Sequence, residues 1–214
     1  MLMQITRALA FTIATLSVST LRADPDLPGA DAVAWATQNY DQVADLTFGD
    51  PRRINDSTAA DTSWTVITRV RPAYDRPESQ FTITESSKGQ LALIVIVSEH
   101  QSMFKQMLTV HALHPGWNAV DVAQHIHVRR SVVNGPDIQP KLRAVVRRFT
   151  SLQTTMRLPN AMIMDANAYH IWSMSGSQWI EINLLGGELS RHPLIRWIEM
   201  LRGYWEETVA TPGG

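Results

Sequence analysis

The 214-residue chain has no cysteine, only three lysines against sixteen arginines, and just 18% charged residues. Without cysteine there is no disulfide scaffold, no thiolate zinc site, no iron–sulfur cluster, no cysteine nucleophile and no lipid-bearing cysteine behind an export signal. The net charge of −1 gives no global pull toward nucleic acid or an anionic membrane. No nucleotide-binding loop, kinase signature, hydrolase elbow or zincin motif occurs in the chain. After residue 23 no stretch is long and apolar enough to span a bilayer, which takes roughly 20 residues. The 44% apolar content excludes a disordered chain and suits a packed core.

What is present begins with an address. Arg7 is the only charge ahead of the run Ala8–Leu21, whose small apolar residues are interrupted by Thr and Ser. A short basic start, about a dozen apolar residues and small residues near Ser19 and Ala23 is the layout of a cleavable signal peptide over 1–23. The sequence thus reads as an exported, periplasmic or secreted, soluble protein that is not a lipoprotein.

Residues 24–62 form an acidic, loop-rich segment with eight Asp against Arg52 and Arg53. Within it, residues 31–46 fit one helix with Val33, Ala36, Tyr40, Val43 and Leu46 near one face. A single α+β domain is expected over 63–209, with a flexible tail at 210–214. Alternating β-branched runs predict strands at 64–71, 80–84 and 91–97, the last two joined by a hairpin in which Gly89 is free to take positive φ. The third run is apolar on both faces, as in a strand covered on both sides. A helix is expected over 101–113. A strand is expected over 125–133, a clear amphipathic helix over 140–152, and strands at 161–165, 169–173 and 178–184. Pro193 opens a final helix with Leu194, Trp197, Ile198, Leu201 and Trp205 on one side. This order predicts antiparallel meanders, each followed by a packing helix. An offset of 88 residues matches Ile83 with Ile171, Gln90 with Gln178, Ile94 with Ile182 and Trp117 with Trp205, which suggests an internal ββ(β)α pseudo-repeat.

Three groups of residues carry candidate chemistry. His111 and His114 lie one helical turn apart, and His125 and His127 share one side of a strand if that segment is extended. Four imidazoles so placed suit Zn or Cu. Arg129, Arg130, Lys141, Arg143, Arg147 and Arg148 fall in a stretch with a single acid, Asp137, and make a basic surface for an acidic protein or anionic polymer. Nucleic acid fits an exported protein poorly. Ser102-Met103-Phe104-Lys105 matches the S-x-x-K pattern of serine acyl-enzymes, but the Lys-Thr-Gly and Ser-x-Asn elements that complete such a site are absent. Seven Trp suit a core more than a sugar-stacking platform. The sequence therefore reads as a non-catalytic exported binding or accessory protein of the envelope or extracellular space. A His-based Zn/Cu-binding protein and a hydrolase are the alternatives.

Overall fold

The computed structural model describes residues 29–51, 62–72, 76–151, 167–175, 178–185 and 192–210. The signal over 1–23 and the strand expected at 161–165 lie outside the described residues.

The fold is α+β. Helix α1 (Ala30–Phe48) precedes strands β1 (Thr62–Arg71), β2 (Ser79–Ser86) and β3 (Leu91–Ser98). Helices α2 (Met103–Leu113) and α3 (Ala119–Ala123) lead to β4 (Val128–Val133), and α4 (Gln139–Thr150) follows. Strands β5 (Ala168–Ser175) and β6 (Gln178–Leu185) and helix α5 (Pro193–Ala210) complete the chain. Among the described residues the six strands form one antiparallel sheet in the order β4-β3-β2-β1-β5-β6. Four strands in succession make a meander, and the β5–β6 hairpin adds to its other side beside β1.

Strand alternation divides the core in two. Val66, Val70, Phe81, Ile83, Leu93, Val95 and Ile171 point to one face and pack under α4 and α5, through Leu142, Val145, Trp197, Ile198 and Leu201. Ile96 and Val128 point to the other face and pack with α1, α2 and α3, through Ala36, Tyr40, Val43, Met103, Met107 and Val122. The sheet is thus covered on both faces, as the doubly apolar β3 predicts. The final helix buries the five residues expected, and the Trp197 indole Nε1–H donates to the Val145 carbonyl at 2.9 Å, tying α5 to α4.

Local chemistry sets the element ends. Ser102 caps α2 by accepting from the Lys105 N–H, so the helix starts at Met103. Asn118 and Asp121 form a capping box at α3. Gly89 takes φ +70° in the β2–β3 turn, where it closes a 2.8 Å bond to the Ser86 carbonyl.

Several expectations need correction. The strand expected from His125 begins only at Val128, because α3 and the turn after it run on through His125 and Ile126, whose N–H groups bond back to Val122 and Ala123. In α1 the buried stripe is Ala32, Ala36, Tyr40, Val43, Ala44 and Phe48, while Val33 and Leu46 are 40% and 47% exposed. Small Ala side chains let α1 approach α2 and α3 closely, and bulkier neighbours turn outward. The offset of 88 brings β2, β3 and α2 into step with β5, β6 and α5, but it does not preserve their faces. Ile83 pairs with Leu93 whereas Ile171 pairs with Ile182, a one-residue difference in register that turns Ile94 and Ile182 to opposite faces. Helices α2 and α5 likewise cover opposite faces.

Candidate functional site

The four histidines do not come together. His111 is buried at the end of α2 with its ring stacked on Trp35 of α1 at 4.1 Å. His114 stacks on Trp117 at 3.9 Å, and His125 meets the same indole at 4.5 Å. His125 Nδ1 also lies 2.9 Å from the Asp121 carbonyl, and the His127 backbone N–H donates to the Gln106 side-chain oxygen at 2.7 Å. Three of the four rings are thus packed against the indoles of Trp35 and Trp117. Among the described residues no group of three or more His, Asp or Glu is set to hold one. The loss of the expected strand at 125–127 removes the shared side on which that reading depended.

The six cations are all exposed, and they point in more than one direction. On β4, Arg129 lies on the α5 face, over the Trp205 ring at 5.7 Å, while alternation sends Arg130 to the opposite face. On α4, Lys141 lies over Tyr204 at 5.7 Å and Arg148 beside the Met200 sulfur. Arg143 donates to the Gly89 carbonyl at 3.3 Å. Among the described residues none of the six forms an ion pair with a carboxylate. Helix α1 lies across the sheet from α4, so its Asp side chains are remote from Lys141, Arg143, Arg147 and Arg148. Arg129 and Arg130 sit on β4, an edge of the sheet as described.

Two buried charged groups went unnoticed in the sequence. Glu78, 2% exposed, accepts the Tyr40 hydroxyl at 3.2 Å, the Ser98 hydroxyl at 3.1 Å and the Met103 N–H at the start of α2. Burial, followed by the Glu78 charge, pushes the Tyr40 hydroxyl far above the ordinary phenol range, so Tyr40 stays a donor. Arg69, 7% exposed, donates to Gln80 at 3.0 Å, to Asp45 at 2.8 Å and to the Gly49 carbonyl at 3.1 Å. Its guanidinium lies between the Phe48 and Trp172 rings, 5.6 and 5.4 Å from their centroids. Both groups fasten α1 to the sheet with their hydrogen-bonding capacity taken up by protein. A charged residue in the β-branched run 64–71 is the sequence signal of Arg69, and Glu78 follows Pro77 just ahead of β2; both read equally well as solvated positions.

No family model, curated protein or solved structure matches the chain.

The remaining candidates have structural explanations. Ser102 is buried and spends its Oγ on capping α2, which accounts for the S-x-x-K match. Trp172, Trp197 and Trp205 are buried, and Trp35 and Trp117 are half-buried against histidines. An open depression of about 630 Å³ lies at the end of the sheet where β4 leads into α4, lined by Thr84, Gln90, Ala92, Asn134 and Arg143 among others. Its one cation, Arg143, sits at the rim of the basic region. No helix among the described residues is long and apolar enough to cross a membrane.

Proposed function

We propose that this chain is an exported, non-catalytic binding or accessory protein that engages an acidic polypeptide through the cations of β4 and α4. The observation that carries the reading is six exposed cations on two successive elements, none of them ion-paired among the described residues. Paired surface charges have little left to offer a partner, whereas unpaired ones steer an oppositely charged surface toward them. The buried charges support the same reading, because Glu78 and Arg69 are consumed in holding layers together. The apolar run at 8–21 behind Arg7 supports export.

The test is titration of the protein with poly-L-glutamate, monitored by fluorescence anisotropy across a salt series. Binding should weaken steeply with salt, and a variant carrying Arg143→Glu, Arg147→Glu and Arg148→Glu should bind at least tenfold more weakly. Equal binding by this variant would remove the basic surface from the reading. Stronger binding to a sulfated polysaccharide than to poly-L-glutamate would move the partner to another class. Mass spectrometry of the native protein should place its N-terminus between Thr20 and Asp24, and a protein still beginning at Met1 would refute export.

A further inference from the structure

We infer that the acidic partner docks as an added strand on the outer side of β4, pairing its backbone with Val128, Arg130 and Val132. This rests on the proposed acidic-polypeptide reading and specifies its geometry. The Glu99 N–H donates to the His127 carbonyl at 2.8 Å, which directs that carbonyl toward the β3 side. Antiparallel pairing alternates, so Arg129, Ser131 and Val133 also face β3, and Val128, Arg130 and Val132 turn their N–H and C=O groups outward. Among the described residues no strand pairs with that side. Val132 is 54% exposed, and Arg129 and Arg130 are exposed on either side of the edge. An open row of backbone donors and acceptors is a template for strand addition.

Charge selects the occupant. A second copy pairing edge to edge about Arg130 would set arginines opposite one another, which is unfavourable. An acidic strand places carboxylates there instead. In an antiparallel added strand the positions opposite Val132, Ser131, Arg130, Arg129 and Val128 read, in order, apolar, polar, acidic, acidic, apolar. The adjacent acids fall on opposite faces of the sheet, each beside one arginine.

The test uses the full chain and a fluorescent capped peptide containing Val-Thr-Glu-Glu-Val. A second peptide of the same sequence is N-methylated at alternate residues, so that it cannot donate to the edge. Val132→Pro removes one outward N–H and leaves the β3 ladder and every charge in place. Arg129→Gln with Arg130→Gln removes the charges and keeps the edge. The unmodified peptide should bind, and both the N-methylated peptide and Val132→Pro should lower affinity at least tenfold. The double Gln variant should also bind more weakly and lose salt dependence. If Val132→Pro does not fold, as judged by its melting transition, the N-methylated peptide still decides. Peptide binding that survives both N-methylation and Val132→Pro overturns strand addition and leaves the acidic-partner reading standing. Poly-L-glutamate binding without peptide binding does the same. If neither probe binds, both fall, and the arginines serve only to keep the edge from aggregating.

Discussion

Glu78 shows how much one side chain can hold at the residue scale. Its carboxylate joins α1 through Tyr40, β3 through Ser98 and the start of α2 through Met103. Tyr40→Phe leaves the ring packing intact and strips one donor from a buried carboxylate, so it should cost about 1–3 kcal/mol in urea denaturation. An unchanged midpoint would mean that water replaces the hydroxyl. His170 makes a second residue-scale prediction. Burial, then the charge of Arg69, lowers its pKa from the ordinary value, against weaker opposing pulls from Asp41 and Glu181. The unfolded chain, with a pKa of about 6.5, therefore takes up the proton more readily than the folded one. His170's contribution is complete above that value and is lost as pH falls from there toward the lower folded pKa. Stability should decline as pH falls below about 6.5, and His170→Asn should flatten that decline. Parallel curves for the two proteins would contradict it.

The same local rules act on whole elements, and two glycines separate backbone from packing. Gly203 lies inside α5, where an added Cβ meets nothing within 4 Å. Gly203→Ala should stabilise by about 0.5–1 kcal/mol because it restricts the unfolded chain and favours helix. Gly89 also has room, with Glu85 Oε1 at 3.9 Å from the added Cβ, but its φ is +70°. Gly89→Ala should cost about 1–2 kcal/mol from backbone strain alone. Melting temperatures should move in opposite directions, by roughly 2–4 °C per kcal/mol for a chain of this size. Elements of this kind are legible in sequence because their cause is local. The helical spacing of Leu194, Trp197, Ile198, Leu201 and Trp205 names the buried side of α5, and a short turn with Gly89 names the hairpin. The strand expected at His125 failed because the capping box of Asn118 and Asp121 holds the preceding chain in helix, and residue alternation alone did not reveal it.

For the whole molecule, the organising fact is a sheet covered on both faces. Helix α1 is integral to that cover, for it shields Met103, Met107 and Val122 with α2 and α3 and brings Asp45 to Arg69. A chain beginning at Trp64, close to the boundary that composition suggests, would expose that core to water and take Asp45, Phe48 and Gly49 away from Arg69. It should bind a hydrophobic dye and melt without a cooperative transition, whereas a chain beginning at Asp24 should melt sharply. Equal melting of the two would make α1 an appendage.

The sequence by itself determined the fold class, the hairpin at Gly89, the doubly covered β3 and the buried side of α5. Each follows from periodicity or turn chemistry within a dozen residues. Only tertiary structure decided that α2 and α5 lie on opposite faces, so that an offset of 88 aligns elements without aligning their surroundings. It also decided that His111 and His114 belong to indole stacks, that Arg129 and Arg130 part to either face of an edge strand, and that Glu78 and Arg69 are buried. These outcomes depend on which distant segments meet, and side-chain spacing along one chain carries no record of its partner across the sheet.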